Sequence, residues 1–167
     1  MAVLPIGFDE LDLFNRKLDL LAQDAVKIGK FALYDGAKVA ADALRDAVDS
    51  LNRVTDVEAI NTLKKGGQSL ISVKQKNGLR NGLGISKMRI KNGTLSVVIG
   101  FNGYNTVAGG PYPKGQPNRM IAASCEGGSS KMIAQPFVKP TFEAKRADII
   151  KAMCNTATDM IDEILDS

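Results

Sequence analysis

The stretch QPFVKPTFEAKRADII, residues 135–150, determines how the last helix of this chain joins the rest of the fold. A proline disfavours helical backbone at the residue before it, so the segment that precedes Pro140 is predicted to be extended. The terminal helix is predicted to start at Pro140, with Thr141 as a possible cap. Residues 141–167 form the terminal helical part of the chain in this prediction. We expect the apolar residues between the two prolines to pack on a sheet while the prolines stiffen the entry. The predicted structural clamp consists of Pro136, Phe137, Val138 and Pro140.

The terminal helix combines an apolar stripe at helical spacing with an acidic end. Four acidic residues lie near its end: Asp159, Asp162, Glu163 and Asp166. Two interpretations stay open for them, an ordinary solvated helix face and a surface that meets the basic middle of a neighbouring copy. Single surface ion pairs contribute only ~0–1 kcal/mol, so such pairing would steer association more than hold it.

The first 65 residues are predicted to be helical. Apolar residues at helical spacing predict a short amphipathic helix over residues 8–22 and a longer one over residues 24–51, roughly 40 Å in length. A third helix over residues 57–65 is predicted to stop at Gly66-Gly67. The near-heptad apolar stripe of the second helix is typical of a core face, and it also suits a helix-to-helix contact between subunits.

A β-hairpin is predicted over GISKMRIKNGTLSVVIGF, residues 84–101. Asn92-Gly93 supplies the two residues with positive φ that a type I′ turn requires. Lys87 and Arg89 are then expected on a basic face that meets water or a partner. The register places three pairs on the opposite, apolar face: Ile90 with Leu95, Met88 with Val97, and Ser86 with Ile99.

These elements predict an α+β fold in a single domain over residues 1–167. The helical part covers residues 1–65, a β-rich part covers residues 66–140, and the terminal helix covers residues 141–167. The run RMIAASC, residues 119–125, is predicted to add another strand. The N-terminal amphipathic helices and the terminal helix are expected to pack on a small, mainly antiparallel sheet.

A long loop is predicted over residues 103–118, GYNTVAGGPYPKGQPN, which holds four glycines and three prolines. Loops of this length are usually functional or disordered. Because little apolar material is present to hold the loop down, we expect it to order against a neighbouring molecule. The candidate interface residues are Tyr104, Pro111, Tyr112, Pro113 and Lys114.

Charge is segregated along the chain. No acidic residue lies between Glu58 and Glu126, whereas ten basic residues do, although the net charge of the whole chain is only +4. Such a dipolar chain suits head-to-tail association with its own copies, or contact with nucleic acid or an acidic partner. A solvated basic face is the other interpretation. The candidates for contact with a DNA channel or an acidic partner are Lys74, Lys76, Arg80, Lys87 and Arg89.

The residue inventory argues against enzymatic chemistry. The chain has no histidine, which excludes Ser-His-Asp and Cys-His catalysis and removes the commonest metal ligand. No phosphate-binding or dinucleotide-binding loop motif is present. Cys125 and Cys154 lie too far apart in sequence for a C-x-x-C site and are predicted to be buried free thiols. We therefore predict that the protein is not an enzyme and takes no cofactor and no metal.

The sequence also bears on the compartment. No stretch approaches the ~20 apolar residues that a bilayer span requires, so no membrane contact is predicted. The start MAVLPIGFDELDLF lacks the basic and apolar regions of a signal peptide. Synthesis in a cytoplasm is expected.

The order of elements and a run of local residues resemble a known family. The run consists of Ala134, Gln135, Pro136, Phe137, Val138, Lys139 and Pro140 before the terminal helix. Weaker likeness lies in Glu126, Gly127, Ser129 and Ser130, and in Gly78-Leu79-Arg80. The pattern resembles the tail-component proteins of long-tailed bacteriophages, the family named after gene product ten of phage Hong Kong 97, in the gene slot of the lambda Z tail completion protein. The aromatic residue that is common between the acid and the glycine of the family is missing here.

This resemblance implies a non-enzymatic structural protein of the virion, made in the cytoplasm of a host bacterium. It implies a ring, expected to be a homohexamer, at the head-proximal end of the tail. The implied partners are the tail terminator or tail tube protein, the head-closure or adaptor protein, and double-stranded DNA that passes through the lumen without sequence-specific contact. Two alternatives stay open: a tail terminator, and a basic nucleic-acid-binding module.

Overall fold

The computed structural model describes residues 8–109 and 111–166, with side chains from residue 12 onward. The described chain has an α+β fold, which confirms the predicted class. In chain order its elements are α1 (Phe8–Ser50), β1 (Arg53–Val54), α2 (Asp56–Lys64), β2 (Ile71–Ser72), α3 (Val73–Gly82), β3 (Leu83–Ile85), β4 (Arg89–Lys91), β5 (Thr94–Ser96), β6 (Ile99–Phe101), α4 (Asn118–Gly127) and α5 (Val138–Asp166).

The prediction of two N-terminal helices is wrong, because α1 is one continuous helix of 43 residues, roughly 65 Å long. The two predicted helices are separated only by Gln23, a good helix former, so nothing in the sequence stops the first helix. α1 and α5 pack along each other as an antiparallel pair: Thr156 of α5 donates to Asp35 of α1 at 2.7 Å, and Lys17 donates to the carbonyl of Leu165.

Two short helices begin with capping boxes. In α2, which confirms the predicted third helix, the Thr55 side chain accepts from Glu58 N and the Glu58 carboxylate accepts from Thr55 N. In α3, Ser72 and Gln75 make the same reciprocal pair. α3 is not among the predicted elements, although it carries one fully buried large apolar residue, Leu79. The Ser-x-x-Gln spacing at its start is the sequence signal that indicates it.

The strands form three two-stranded sheets within the described residues. The β1–β2 pair is parallel. The β3–β6 and β4–β5 pairs are antiparallel, and both lie in the predicted hairpin. Asn92 and Gly93 have φ of 51° and 74°, which confirms the predicted turn. The pairing of Ile90 with Leu95 is also confirmed, but the Ile90 side chain is exposed instead of packing on the helices.

The predicted pairs of Met88 with Val97 and of Ser86 with Ile99 are wrong, because the hairpin contains a bulge. Ile99 pairs with Ile85, so residues 86–88 lie opposite residues 97 and 98. Tyr34 of α1 fills the gap: its hydroxyl accepts from Met88 N at 2.9 Å and donates to Ser86 O at 3.3 Å. The extra residue is therefore stabilised by a side chain more than fifty positions earlier in the chain.

The predicted strand over residues 119–125 is wrong, because this segment is α4. Short apolar runs do not distinguish a strand from a buried helix. Ile121, Ala122 and Cys125 are all buried, and their spacing places them on one helical face. α4 ends at Gly127, and the residue that caps it, Gly128, has a φ of 75°. The part of the chain between residues 66 and 140, predicted to be β-rich, thus contains two helices and only short strands.

One core joins α1, α3, α4, β2, β6 and the start of α5. Its buried residues are Leu44, Val48, Leu51, Ile71, Leu79, Phe101, Ile121, Ala122, Cys125, Met132 and Phe137. In α1 the buried positions begin at Ile28 among the side chains that are described, and no described residue of α5 is buried. The N-terminal part of α1 and most of α5 therefore lie outside this core.

Candidate functional site

One carboxylate holds the junction between α4 and α5. Glu126 accepts hydrogen bonds from the backbone N–H groups of Phe137 and Val138, each at 2.8 Å, and of Lys139 at 3.0 Å. A helix leaves its first N–H groups without intrahelical partners, and its N-terminus carries partial positive charge. Glu126 thus caps α5 from another helix, a role that a local side chain usually performs.

This cap explains why the predicted start of the terminal helix is wrong by two residues. α5 begins at Val138, and Lys139 is helical although it precedes Pro140. Proline is tolerated in the first turn of a helix, where its missing N–H would have had no partner. The three N–H groups before it are bound by Glu126, so the early start leaves no donor unsatisfied.

The pKa of Glu126 reflects the same contacts. Burial of the carboxyl group raises its pKa, but the N–H groups of Lys139, Phe137 and Val138, together with the Lys139 ammonium, lower it by more. The net pKa lies below the ordinary value of 4.5. The ionised form is therefore the one that the junction stabilises.

Gln135 ties this junction to the end of α1. Its Oε1 accepts from Asn52 N at 2.9 Å and its Nε2 donates to Asn52 O at 3.0 Å, so one side chain satisfies both backbone groups of Asn52. The backbone N–H of Gln135 also donates to Cys125 O at 2.6 Å. The segment before α5 is thus fixed to α1 and α4 by hydrogen bonds instead of by pairing in a sheet.

The four residues of the predicted clamp differ in burial: the apolar pair packs against the core, and the two prolines are exposed. Phe137 is buried and packs edge-to-face on Phe101 of β6, with ring centroids 5.8 Å apart, and Val138 is half-buried beside the core. Pro136 and Pro140 are exposed. The contact with the sheet is therefore made by Phe137, and the angle of α5 is set by this ring together with the hydrogen bonds of Glu126.

The Gly78-Leu79-Arg80 stretch also has a structural setting. Leu79 is fully buried in the core, and Arg80 lies 3.4 Å from Asp49 at the end of α1. A Cβ atom at Gly78 would lie 2.4 Å from Asn105 Cβ and 2.5 Å from Asn118 Oδ1, so only glycine permits this approach of α3 to Asn105 and α4. The stretch therefore joins α3 to α1 and α4.

The loop between β6 and α4 is held from inside. Asn105 is buried, and its Oδ1 accepts from Val107 N at 2.9 Å and from Gln116 N at 3.3 Å. Its backbone N–H donates to Gln116 O at 2.9 Å. The base of the loop is thus closed by the chain itself, whereas contact of its tip with a neighbouring molecule stays a prediction.

The five candidate interface residues of this loop differ in exposure. Tyr104 is 62 % exposed, and Pro111, Pro113 and Lys114 are exposed as well. Tyr112 is half-buried, and its hydroxyl lies 3.1 Å from the sulfur of Met120 in α4. Four of the five side chains thus face outward, while Tyr112 anchors the loop.

A cleft of about 540 Å³ lies beneath this loop, between the loop, α2 and α4. Its volume is within the range of small-molecule sites, roughly 300–1,000 Å³. The lining is mainly apolar, with Ile60, Leu63 and Met120 among its residues, and Asp56 is its one carboxylate among the described residues. A single carboxylate does not supply the paired groups that acid–base chemistry on carboxylates requires.

The five candidate basic residues do not act alike. Lys76 donates to the carbonyls of Asp49 at 2.7 Å and Leu51 at 2.9 Å, so it caps the end of α1. Arg80 pairs with the Asp49 carboxylate at the same end of α1. Burial lowers the pKa of Lys76, and the Arg53 charge lowers it further. The side chains of Lys74, Lys87 and Arg89 are exposed, and none of them forms an ion pair with any described residue.

The far end of the α1–α5 pair exposes large apolar side chains. We call residues 12–26 of α1 and 155–166 of α5 the distal arm. Within it Phe14 is 57 % exposed, Leu18 47 % and Leu165 41 %. Lys17 contacts the Leu165 carbonyl, so these three side chains lie at the same end of the pair. Leu13, Leu20 and Val26 of the arm are exposed too.

The distal arm is acidic. Its described residues include seven acidic side chains and two basic ones, and Asp159, Asp162, Glu163 and Asp166 are all exposed. Cys154, next to the arm, is exposed as well, so the prediction of two buried thiols holds for Cys125 but not for Cys154. α5 has α1 as its principal packing partner, which leaves its outer faces open.

Two absences apply to the described part of the chain only. Within residues 12–109 and 111–166, whose side chains the structure describes, no three His, Cys, Asp or Glu side chains are grouped so that they could hold a metal ion. No helix among those same residues is both long and apolar enough to cross a membrane.

Comparisons with protein-family models, with curated proteins and with solved structures give no match to this chain. The resemblance to the phage tail-component family therefore stays a prediction from the residues of this sequence alone. Three of the residues that carry the resemblance, Glu126, Gln135 and Phe137, join α4, α1 and β6 to the start of α5. Gly78-Leu79-Arg80 lies elsewhere, in α3.

Proposed function

We propose that this protein is a self-assembling structural protein of a long-tailed phage, a tail completion or head–tail connector (neck) protein that forms a ring. The observation that carries the proposal is the distal arm, whose large apolar side chains at Phe14, Leu18 and Leu165 are 41–57 % exposed to solvent in the described chain. A ring of copies, expected to be a homohexamer, would bury them at the head-proximal end of the tail.

The energetics of the arm favour association. Burial of apolar surface stabilises by about 25 cal/mol per Å², and contiguous exposed apolar surface on a small protein usually marks an interaction site. Phe14, Leu18 and Leu165 lie together at one end of the helix pair. Their burial against another copy would contribute to binding, whereas their exposure contributes nothing to the fold of one copy.

The distribution of charge favours a head-to-tail contact. The distal arm is acidic, and all ten charged residues in the middle of the chain, between Glu58 and Glu126, are basic. Identical ends of two copies would therefore repel each other, whereas an arm and a body attract. Repeated head-to-tail contacts close into a ring when the rotation between copies permits it.

The junction at the start of α5 supports the same role. An arm that contacts a neighbour needs a fixed angle to the body, and the contacts of Glu126, Gln135 and Phe137 set that angle. In this proposal the exposed loop residues around Tyr104 contact an adjoining ring. The neighbours would be the tail terminator or tube on one side and the head-closure or adaptor protein on the other, with double-stranded DNA in the lumen.

Electron microscopy of phage particles made without this protein tests the proposal. Filled heads and finished tails that stay unjoined are the expected result. Tails of abnormal length with heads attached would instead support the alternative role of a tail terminator. Normal infectious particles that lack the polypeptide would refute both roles.

A nucleic-acid-binding module is a second candidate, and the free side chains of Lys74, Lys87 and Arg89 favour it. Lys76 and Arg80 weaken it, because both are engaged at the end of α1. DNA binding by unassembled chains that weakens steeply with salt would support the module. Assembly into rings in the absence of DNA would support the connector.

A further inference from the structure

A groove of about 470 Å³ lies between α1, α5 and the β5–β6 side of the hairpin. Its floor is formed by Gly36, Ala37 and Ala40 of α1, and its walls include Ile99 of the hairpin and Ile150 of α5. The groove is open because the residues on its floor are small while α5 and the hairpin stand on either side. Ile150 is 50 % exposed, so one wall offers apolar surface to an incoming side chain.

The surroundings of the groove are basic. Residues 84–101 and 139–151, which form two of its sides, contain seven basic and two acidic residues. Two charged residues lie in the groove lining, Glu143 and Arg146. Glu143 is paired with Lys139 at 3.8 Å, whereas Arg146 forms no ion pair with any residue that the structure describes. The groove is thus an apolar slot with an unpaired cation beside it.

An apolar face of α5 connects the groove to the distal arm. Ile150, Cys154, Ile161 and Leu165 follow one another at spacings of 4, 7 and 4 residues, which places them on one side of the helix. Ile150 lies in the groove and Leu165 lies at the far end. The surface that needs a partner therefore has two ends of opposite charge, a basic one at the groove and an acidic one at the arm.

We infer that the occupant of this groove is the distal arm of a second copy of the chain. Its exposed apolar side chains at Phe14, Leu18 and Leu165 match the apolar slot, and its seven acidic residues against two basic ones match the basic surroundings. Contact between two arm ends would place acid against acid. The inference rests on the proposed self-assembly and names the two surfaces that make the contact.

Two substitutions test this contact, one at each surface, with a third as control. Ile150→Glu places a charge in the groove, and Phe14→Glu places one on the arm. Both native residues are at least half exposed. Val57→Glu is the matched control, because Val57 is 66 % exposed on α2 and lies on neither surface. Circular dichroism first checks that all three variants keep their helices.

Sedimentation velocity then measures self-association. We expect Ile150→Glu and Phe14→Glu each to raise the dissociation constant at least about 100-fold, as for central interface residues, and Val57→Glu to leave it unchanged. An equal mixture of the two defective variants is expected to form 1:1 dimers, because the intact arm of one still fits the intact groove of the other.

The outcomes separate the inference from the proposed function. If the wild-type chain stays monomeric at all concentrations, both are overturned. If the wild-type chain and Ile150→Glu assemble equally well while Phe14→Glu does not, only the groove contact is overturned. If Phe14→Glu also assembles as well as the wild type, the role of the arm in assembly is overturned too. A mixture that gives no dimers overturns the head-to-tail contact, and weakened assembly of Val57→Glu overturns the assignment to these two surfaces.

Discussion

Replacement of Glu126 by glutamine isolates the charge of the carboxylate that caps α5. Glutamine keeps the size of the side chain and one acceptor oxygen, but it loses the charge and presents an N–H₂ group to backbone donors. Three backbone N–H groups lie within 3.0 Å of the carboxylate oxygens. Part of the native capping is thus retained in Glu126→Gln and all of it is lost in Glu126→Ala.

The expected loss of unfolding free energy follows from the number of N–H donors that Glu126 binds and from their position at a helix N-terminus. A lost N-cap costs about 0.5–2 kcal/mol, and a charge near a helix N-terminus contributes about 0.3–1 kcal/mol. We expect the free energy of unfolding to fall by about 1–2 kcal/mol in Glu126→Gln and by about 2–4 kcal/mol in Glu126→Ala, where three donors lose their partner.

Urea unfolding at a single protein concentration measures these differences, because the linear extrapolation gives the free energy directly. Glu143→Gln is the control: Glu143 lies early in the same helix, is exposed and pairs with Lys139 at 3.8 Å. The control is expected to change the free energy by less than about 0.5 kcal/mol. Equal stability of Glu126→Gln and Glu143→Gln would refute the capping role.

The pH dependence gives an independent check with a definite sign. The pKa of Glu126 lies below 4.5 in the folded state, so its contribution to stability is present above the unfolded pKa and is lost as pH falls through the folded pKa. The difference in stability between the wild type and Glu126→Gln should therefore be constant near neutral pH and shrink in acid. A difference that does not vary with pH would show that the charge is not responsible.

Three further predictions concern other contacts. In the unassembled chain, a thiol reagent should modify Cys154 quickly and Cys125 only after unfolding. Cys125 is protected because burial, together with the nearby Glu126 charge, raises the pKa of its thiol to about 11. Fast modification of both thiols would contradict the fold of α4. Tyr34→Phe should lower the free energy of unfolding by about 1–2 kcal/mol, since two backbone groups of the hairpin bulge lose their partner; an unchanged midpoint in urea would count against that assignment. Lys76→Met should lower it by about 1 kcal/mol by removing the cation at the end of α1, and a thermal melt that matches the wild type would exclude this role.

Local signals predicted the elements that local interactions determine. Asn92-Gly93 specified its turn because few other residue pairs adopt positive φ twice in succession. The end of the helix before Gly66-Gly67 follows from the two glycines, which are typical of a helix stop. Each of these features depends on residues within a few positions of each other, so the sequence alone contained the information.

The incorrect predictions involve contacts between distant residues. The hairpin register slips because Tyr34 stabilises a bulge in a strand far along the chain. α5 starts before Pro140 because Glu126, on another helix, binds its first N–H groups. Pattern and propensity do not report such contacts, and the helical state of residues 119–125 likewise depends on which neighbours cover them.

The candidate interface shows the same division. The segregation of charge and the acidic end of the last helix are visible in the sequence. The groove is not visible, because it arises where small residues of α1 face α5 and the hairpin, which are far apart in the chain. The exposure of Phe14 and Leu18 was not predicted either, since an apolar stripe is read first as core.

The central claim is that the exposed apolar arm is covered by other copies of the chain. Sedimentation velocity of the purified wild-type protein over a range of concentrations tests it most directly. We expect species larger than the 17.8 kDa chain, with a population that grows with concentration and falls at high salt. A folded protein that sediments as a single 17.8 kDa species at every concentration would contradict it.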